Sequence, residues 1–450
     1  MLELIKRAVT EFKSTTGSVR ILTHHDTGGI TSGAIIAKAI QREDRGFRIS
    51  VLKQVDRELV STLKSEKNDI IFFLDFGSSA LDELAGLESK VIILDNHEIS
   101  GIAPSNVLLV NPHTLPDKEQ INSSALSFLF AKELNPANCD MGELAVLGMV
   151  GDYGDLSNLG SLAQSVISNC EDVVVKKSLM LFPATRPIHK ALEFSSKVYI
   201  PGVTGASEGV LGLLNEAKIP LKYEGEYRTL LDLNSEETKR LVDSISARTA
   251  DAESIKNAFG FIYLIKFFSH LEDARELSMQ INACGKLGHG DLAIAFCMGS
   301  KKAKFFAESI YITYKHMLLS GLKWVSTHDK IEGDGYVIVN AGSEIKDTIM
   351  GTVLSILAAS YTYAPGTVLI GMTNTEDKRL KISSRITGKG RKDINLQRVL
   401  EPLAKAVGGE AGGHQTAAGG IIPLEKQEEF LSLLQKELGM RNVEVETINS

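Results

Sequence analysis

Short apolar runs that end in acidic or histidine residues recur along the first third of the chain. Runs of this kind near 19–23, 49–53, 70–75, 91–95 and 107–110 predict strands, and the segments between them have helical spacing. Strands that alternate with helices are typical of a largely parallel sheet covered by helices. The pattern therefore predicts an α/β domain in this part of the chain.

Four apolar runs lead directly into side chains that can bind metal ions. Each of these runs is predicted as a strand, and the polar groups that follow them are His24-His25-Asp26, Asp75, Asp95-Asn96-His97 and Asp152. Because open α/β sheets place their chemistry at the carboxyl ends of strands, we expect these groups to form one site.

The chemistry of this expected site is that of a hard divalent cation. Mn²⁺ and Mg²⁺ prefer carboxylate oxygens with some imidazole, and two ions about 3.5–4 Å apart can hold both oxygens of a phosphoryl transfer. The pattern therefore indicates phosphoester chemistry.

The chain resembles the DHH phosphoesterase superfamily and, within it, the archaeal RecJ-like proteins. The family's first motif, His-x-Asp-x-Asp-Gly-x-x-Ser, is matched by His24, Asp26, Gly29 and Ser32. The further motifs follow in the family's order and are Asp75, Asp95-Asn96-His97, Gly148-Met149-Val150-Gly151-Asp152 and the Gly412-Gly413-His414 signature. Any one of these motifs is weak, but five in order over nearly the whole chain are specific.

The resemblance implies two neighbouring ion sites. His24, Asp26 and Asp75 would bind the first ion, and Asp75 would bridge to the second, which would also use Asp152. The resemblance makes Asp75 a catalytic residue, together with Asp95 and His97 as groups that orient the ligands or the substrate.

Two ligand positions of the family are lost in this chain. Gly28 stands where the first motif has its second aspartate, and Asn96 stands where the third motif has its first histidine. Both lost groups would bind the second ion, so we expect one Mn²⁺ or Mg²⁺ ion rather than two. An asparagine oxygen is a weak ligand and glycine offers none, which leaves Asp155 and His25 as candidate replacements.

The C-terminal section resembles the DHH-associated domain, which implies binding of single-stranded nucleic acid. Gly412 and Gly413 allow a close approach of backbone amides, while His414 and Arg385 can donate to phosphate oxygens. The basic loop 388–392 either extends this track or is a solvated hairpin tip.

Ser123 and Ser124 open a predicted helix near the end of the first section. Exposed amides and hydroxyls at a helix start can bind a phosphate, whereas the alternative is a plain helix cap.

These features divide the chain into four predicted regions. The predicted boundaries are 1–170 for a DHH domain, 171–204 for a mostly helical connector, 205–325 for an inserted accessory domain and 326–450 for an α/β DHH-associated domain. The inserted domain is the expected docking place of a protein partner.

Composition limits the classes of function. The chain has 450 residues, of which 43% are hydrophobic and 23% are charged, as in ordinary globular proteins. A net charge of −7 argues against a protein that coats duplex DNA through bulk positive charge. Because no apolar run approaches the ~20 residues that span a bilayer, and the N-terminus lacks the apolar core of a signal peptide, we expect a cytoplasmic protein without a membrane contact.

The favoured hypothesis is a RecJ-like protein that binds single-stranded DNA or RNA in replication or repair and has weak or no phosphodiesterase activity. The first alternative is an active Mn²⁺- or Mg²⁺-dependent single-strand exonuclease with a one-metal or rearranged site. The second is a phosphodiesterase that acts on small phosphoesters or oligonucleotides, although such an enzyme would not need the inserted domain.

Overall fold

The computed structural model describes residues 1–193, 200, 202–248, 259–359, 362–388 and 394–448. The chain forms two compact units, Met1–Tyr311 and Ile312–Ser450. Most of the basic loop named above, residues 389–392, lies outside the described residues.

The first unit is built on a five-stranded parallel sheet in the order β2-β1-β3-β4-β5. The strands are β1 Val19–His24, β2 Phe47–Leu52, β3 Ile70–Leu74, β4 Lys90–Leu94 and β5 Val107–Val110. Strands β3 and β4 are buried along nearly their whole length, which explains their continuous apolar sequence. The predicted parallel sheet is confirmed.

Seven helices belong to the same section of the chain. They are α1 Leu2–Ser14, α2 Thr27–Arg42, α3 Arg57–Glu66, α4 Leu81–Leu84, α5 Ser123–Leu134, α6 Gly142–Tyr153 and α7 Ser161–Ser168. The side chain of Asp26 caps α2 by accepting a hydrogen bond from the Gly29 amide. The main core lies where α2, α5 and α6 meet the sheet.

The segment Leu147–Asp155 is a correction to the predicted strands. It forms the end of helix α6 and the turn after it, so Asp152 lies at the end of a helix rather than of a strand. The residues of α6 from Leu144 to Val150 are all buried, and a helix buried on every side shows no amphipathic spacing. A short apolar run of this kind cannot be distinguished from a buried strand by periodicity.

The connector was predicted to be mostly helical, but it begins with a strand, β6 Val173–Leu179. After β6 the chain of the first unit continues with α8 Ile188–Glu193, α9 Ser207–Glu216, β7 Lys222–Tyr223, β8 Glu226–Tyr227, α10 Ser235–Ser246, β9 Phe259–Phe267 and β10 His270–Asp273. Strands β10, β9 and β6 form an antiparallel sheet in that order.

Strand β9 separates two cores. Ile262 and Leu264 belong to the core of the accessory segment, together with residues of α8, α9 and α10. Tyr263 and Ile265 alternate with them and belong to the main core. Since side chains alternate across a strand, one strand contributes to both cores.

Residues after β10 pack differently from the prediction. They form α11 Ala274–Lys286, α12 Gly290–Cys297 and α13 Lys301–Thr327. The buried side chains of α11 and α12, such as Leu277 and Phe296, lie in the main core rather than in the accessory core. The predicted insert 205–325 is therefore too long, because apolar spacing identifies a helix but not the core in which it packs.

The second unit contains a six-stranded sheet in the order β11-β12-β13-β14-β16-β15, in which only β12 and β13 are parallel. Its elements are β11 Ile331–Gly333, β12 Tyr336–Gly342, α14 Asp347–Ala359, β13 Val368–Asn374, β14 Arg379–Ile386, α15 Leu396–Ala406, β15 Glu410–Gly413, β16 Ala417–Pro423 and α16 Gln427–Ile448. The predicted α/β architecture of this section is confirmed.

Candidate metal centre and nucleic-acid interface

Three potential ligands converge at the carboxyl edge of the parallel sheet. His24 ends β1, Asp26 caps α2 and Asp75 follows β3. The His24 Nδ1 atom lies 2.9 Å from Asp26 Oδ2 and 3.7 Å from Asp75 Oδ2. One potential ligand atom from each residue lies within 4.8 Å of the others, and this donor set of one imidazole and two carboxylates suits Mn²⁺ or Mg²⁺.

Asp75 has an unusual backbone conformation. Its φ angle is +68°, in the left-handed region, and its amide donates to the Leu94 carbonyl on β4. Aspartate and asparagine tolerate this region better than other residues that carry a Cβ atom. The turn after β3 therefore fits an acidic residue in its backbone as well as in its charge.

Asp95 and His97 form a second group of potential ligands with Asp75. His97 Nδ1 lies 2.7 Å from Asp95 Oδ1, and fully buried Asp95 also accepts from the amide of Ser78. The hydrogen bond to Asp95 raises the pKa of His97 to about 9. The arrangement fixes an imidazolium beside the acidic cluster, in agreement with an orienting role.

The acidic cluster is electrostatically strained without a cation. Burial, together with the neighbouring charge of Asp26, raises the pKa of Asp75 to about 7. Asp152 is reached by solvent through a cavity, yet partial desolvation and the charges of Asp75 and Asp26 raise its pKa well above the usual range. Burial alone would raise the pKa of Asp26, but the charge of His24 outweighs it and holds that pKa well below normal. Bound positive charge would relieve this repulsion.

Gly28 borders the carboxylates at the place where the family has an aspartate. A Cβ atom at position 28 would lie 2.8 and 2.9 Å from the two carboxylate oxygens of Asp152 and 3.1 Å from Asp75 Oδ2. A carboxylate built on that atom would join Asp75 and Asp152 directly. Position 28 therefore lies beside Asp75 and Asp152 but has no side chain that could bind an ion together with them.

Asn96 is engaged in contacts within the protein. Its Oδ1 atom accepts from the amide of Ser123 at 3.1 Å and from the Ser123 hydroxyl at 2.8 Å. Asp152 in turn accepts from Asn122 Nδ2 at 2.7 Å. The side-chain oxygens of Asn96 and Asp152 thus already accept hydrogen bonds within the protein.

Neither candidate replacement ligand, His25 or Asp155, completes a group of three potential ligands among the described residues. His25 lines the cavity beside His24, with 4.4 Å between their ring centroids. Asp155 accepts a hydrogen bond from the amide of Ser157.

Ser123 and Ser124 are fully buried at the start of α5. The Ser124 hydroxyl contacts the Gly28 carbonyl at 2.9 Å and the Thr31 hydroxyl at 2.7 Å, while Asn122 caps the helix. A phosphate-binding role for the two serines stays a prediction, and their burial favours the alternative of a plain helix cap.

The two glycines of the fourth motif have a packing function. A Cβ atom on Gly148 would lie 1.9 Å from Ser124 Oγ, and one on Gly151 would lie 2.7 Å from Thr27 Cβ. Their absent side chains let α6 approach α5 and α2 closely, which brings Asp152 to the site. In this way a sequence motif that is read as catalytic is in part a helix-packing motif.

Helix α11 supplies cavity residues that sequence reasoning missed. A cavity of about 440 Å³ is lined by His24, His25, Asp26, Thr27, Gly151, Asp152, Ser278, Met279, Asn282 and Lys286. Ser278, Asn282 and Lys286 are spaced by four residues and so share one face of α11. The helix is held close to the site at Gly285, where a Cβ atom would lie 1.7 Å from the His25 carbonyl oxygen. The four-residue spacing was the available signal, but nothing in it indicated which core α11 would join.

A separate cationic site lies on the sheet of the second unit. Arg385 on β14 donates through Nε to Ser355 Oγ at 2.9 Å and through Nη1 to the Ser384 carbonyl at 2.7 Å. Burial lowers the pKa of Arg385, and no carboxylate pairs with it in the part of the chain that the structure describes. A partly buried guanidinium that contacts only neutral groups is well suited to an anionic ligand.

The glycine-rich signature lies on the strands next to Arg385. Ala417 and Gly419 on β16 lie opposite Arg385 and Ser383, and Gly412 on β15 lies opposite Gly419. Gly413 has a φ angle of +141°, and the amide of His414 donates to the Ala417 carbonyl at 2.7 Å. Beside the guanidinium, these strands therefore present backbone with few side chains.

Three family models match successive parts of the chain. The DHH family N-terminal domain matches residues 18–149, the DHH-CID domain matches 182–257 and the DHHA1 domain matches 334–440. The chain belongs to the DHH superfamily. His24, Asp26, Asp75 and Gly28 lie within the DHH match, and Asp152 lies just beyond its end. Arg385 and the glycine signature lie within the DHHA1 match.

Proteins similar to this DHH protein either align with it over nearly its full length or have a similar fold. An uncharacterized protein of Methanocaldococcus jannaschii is 28% identical over 97% of both chains. CDC45 from Entamoeba histolytica aligns with 97% of this chain and 98% of its own, at 14% identity and a TM-score of 0.66. RecJ from Thermus thermophilus in complex with Mn²⁺ aligns at 15% identity and a TM-score of 0.61. The alignment covers 96% of this chain but only 54% of that RecJ.

The fold of this DHH protein therefore resembles the folds of RecJ and of CDC45. The helices that the structure describes include none with the length and apolar character needed to span a bilayer.

Proposed function

We propose that this DHH protein binds single-stranded nucleic acid during replication or repair, with one divalent ion and little or no phosphodiesterase activity. The observation that carries the proposal is the absence of a carboxylate at Gly28 and the engagement of Asn96, at the two positions where the family binds its second ion. Gly28 removes a carboxylate next to Asp75 and Asp152, while the oxygen of Asn96 accepts two hydrogen bonds from Ser123. A second ion at the reacting phosphate would lack two of the four ligands that the family provides for it.

One divalent ion remains compatible with the residues present. His24, Asp26 and Asp75 would hold it, because their potential ligand atoms already lie within 4.8 Å of one another. A divalent ion at this place supplies Lewis-acid stabilisation of a phosphoryl oxygen. Lys286 and Asn282 line the same cavity and would bind a phosphate group there.

The binding half of the proposal rests on the DHHA1 domain. Arg385 offers a partly buried guanidinium without a carboxylate partner among the described residues, beside backbone that a nucleic-acid strand could approach. Contacts of this kind recognise the phosphate backbone and carry little base specificity. A protein partner in a replication or repair assembly would dock on the accessory segment that contains the DHH-CID match.

The second candidate function is a one-ion exonuclease. The intact cluster of His24, Asp26 and Asp75, together with the His97 imidazolium, favours this alternative because the groups around the first ion site are retained. The solved structures include an exonuclease RecJ bound to manganese, which shares the fold at 16% identity and a TM-score of 0.59.

A nuclease assay on labelled single-stranded DNA and RNA with Mn²⁺ distinguishes the two functions. We expect little or no cleavage by the native chain, and Mn²⁺-dependent cleavage with two bound ions per chain after Gly28→Asp combined with Asn96→His, because both ligands of the second ion return. Calorimetry gives the stoichiometry.

Gly28→Ala with Asn96→His is the matched control, because it adds the same Cβ atom without the carboxylate. Asp75→Asn shows whether any cleavage depends on the site. Cleavage by the native chain that Asp75→Asn abolishes would establish the exonuclease and reject the binding-only function.

Binding of nucleic acid is expected to depend on Arg385. Arg385→Gln should weaken the affinity for a fluorescent single strand by roughly ten- to hundredfold, because a hydrogen bond to a charged group contributes about 1.5–3 kcal/mol. Fluorescence anisotropy measures the affinity, and the loss should be similar for different base sequences. Arg398→Gln, on the helix that follows β14, removes a guanidinium from the same unit without touching the Arg385 site and should change little. Equal affinities of the native chain and Arg385→Gln would reject this interface.

A further inference from the structure

The outer edge of strand β6 is long, exposed and apolar in its middle. Strand β6 spans Val173–Leu179 and lies at the edge of the β10-β9-β6 sheet. Val174 is 47% exposed and Val175 is 44% exposed. No strand pairs with this edge in the part of the chain that the structure describes. An exposed apolar edge strand is a template for pairing with another strand.

The pairing of β6 with β9 determines which backbone groups remain for a further strand. The amide of Lys266 donates to the carbonyl of Asp172, so these two residues form a hydrogen-bonded pair of the antiparallel ladder. Hydrogen-bonded and non-hydrogen-bonded pairs alternate along such a ladder. The register pairs Val173 with Ile265 and Val175 with Tyr263, so the N–H and C=O groups of these odd-numbered residues of β6 point away from β9.

The sequence of this edge is self-complementary in charge. Residues 171–177 read Glu-Asp-Val-Val-Val-Lys-Lys, with two acids before three valines and two lysines after them. In an antiparallel pair centred on Val174, Glu171 lies opposite Lys177 of the other strand, and Asp172 lies opposite Lys176. Glu171, Asp172 and Lys177 are exposed, so these side chains are available to a second strand. Lys176 is half-buried and donates to the Leu231 carbonyl, so the complementarity rests mainly on the two Glu171–Lys177 pairs.

The same centre also satisfies the backbone. It places Val173 opposite Val175 of the other strand, and both residues have outward-pointing N–H and C=O groups. It places the two Val174 residues opposite each other as a non-hydrogen-bonded pair. A centre on Val175 would satisfy the backbone as well, but it would leave the lysines opposite valines.

We infer that this DHH protein forms a homodimer through antiparallel pairing of β6 with β6 of a second copy, with Val174 at the two-fold axis. The two three-stranded sheets then form one continuous six-stranded sheet. The occupant of the edge is a second copy because the order of charges in residues 171–177 complements itself when the strand is reversed. The inference concerns neither the metal cluster nor the nucleic-acid site.

Disulfide trapping tests the position of the axis. The background variant is Cys139→Ser, because Cys139 is the exposed native cysteine in the described part of the chain. Directly opposed non-hydrogen-bonded residues have Cα atoms about 4.5 Å apart, within the range that a disulfide bridges. We expect Val174→Cys to form a covalent dimer under mild oxidation and Val175→Cys to form none. Failure of Val174→Cys to cross-link, or cross-linking of Val175→Cys alone, would overturn the inference.

Charge reversal tests the partner without cysteines. Sedimentation equilibrium of the full chain should show a concentration-dependent dimer, and Lys177→Glu should weaken it by roughly tenfold or more, because like charges then lie opposite each other twice in each dimer. Glu171→Lys should have the same effect, and the combined exchange Glu171→Lys/Lys177→Glu should restore the dimer. A native chain that stays monomeric, or a dimer whose affinity is unchanged by the single charge reversals, would overturn the inference.

Val175→Pro provides a further variant that does not depend on charge. The Val175 amide points away from β9, so proline removes a donor to the second copy and leaves the β6–β9 ladder in place. We expect a monomer whose thermal unfolding still resembles that of the native chain. A Val175→Pro variant that folds and still dimerises with native affinity would overturn the inference.

Discussion

Without metal ions, Asp75→Asn is expected to be more stable than the native chain at pH 8. Asp75 is 3% exposed and lies beside Asp26, and its pKa is raised to about 7. An unfolded aspartate has a pKa of about 3.9, so the ionised native side chain at pH 8 costs on the order of 2–4 kcal/mol. Asparagine removes this charge and still tolerates the left-handed backbone at φ +68°.

The expected gain depends on pH in a definite direction. Because the folded protein holds the Asp75 proton more tightly than the unfolded chain does, its stability falls as the pH rises from about 4 through 7. Near pH 4, Asp75 is protonated in the folded protein and about half protonated in the unfolded chain, so the variant and the native chain should differ little. Thermal unfolding of both proteins between pH 4 and 8 without metal measures this difference.

Manganese should reverse the order of stability. A ligand that binds only the folded state raises the free energy of unfolding by RT ln(1 + [L]/Kd), so Mn²⁺ should stabilise the native chain. Asp75→Asn has lost a ligand and should gain much less. Glu98→Gln removes an exposed carboxylate near the third motif and should follow the native chain in both experiments. If Asp75→Asn is destabilised at pH 8 without metal, the carboxylate cluster is not repulsive and this account of it is wrong.

The residues at the carboxyl edge of the sheet could be predicted because all strands of a parallel sheet end at the same edge. Three apolar runs that end in His24, Asp75 and Asp95 were predicted to be strands of one sheet, and in the structure β1, β3 and β4 are consecutive in that sheet. Their side chains then meet without further information. The interpretation of Gly28, which lies on helix α2, came instead from the resemblance to the family's first motif.

Other parts of the site could not be predicted because they depend on packing between segments that are distant in sequence. Asp152 reaches the cluster through helix α6, whose approach depends on what Gly148 and Gly151 face on other helices. Lys286 reaches the cavity because α11 returns to the main core about 100 residues after the first domain's last helix. The contacts of Asn96 with Ser123 link the loop after β4 to the start of helix α5, and no local pattern encodes their proximity.

Arg275→Met is expected to destabilise the first unit by about 3–5 kcal/mol, the usual effect of leaving one charge of a buried pair alone. Arg275 and Asp273 are both buried, and Arg275 Nη2 lies 2.6 Å from Asp273 Oδ2. The guanidinium also donates to the carbonyls of Met180 and Leu181, and Asp273 accepts from the amide of Ala184. Its loss leaves two carbonyls without their donors and the buried carboxylate of Asp273 without a cationic partner. Urea unfolding followed by circular dichroism measures the effect.

A nearby ion pair provides the matched control. Arg186 contacts Glu276 on α11, and its own side chain is 52% exposed although that of Glu276 is only 9% exposed. Because water reaches one half of this pair, Arg186→Met should cost clearly less than Arg275→Met. Asp273→Asn combined with Arg275→Met should recover much of the loss, because the uncompensated charge disappears while an oxygen remains for the Ala184 amide. Equal effects of Arg275→Met and Arg186→Met would contradict the role of the buried pair.

The position of this pair gives the Arg275→Met experiment a second readout. Met180, Leu181 and Ala184 belong to the accessory core, whereas α11, which begins directly after Asp273, belongs to the main core. Strand β9 contributes to both cores, so in the native chain the two should unfold together. With Arg275→Met the connection depends on the shared strands β6 and β9 and on the half-exposed Arg186–Glu276 pair. We therefore expect the unfolding curve to separate into two transitions, the first of which leaves the Mn²⁺-dependent stabilisation intact. A single transition in the variant would show that these remaining connections are sufficient to couple the cores.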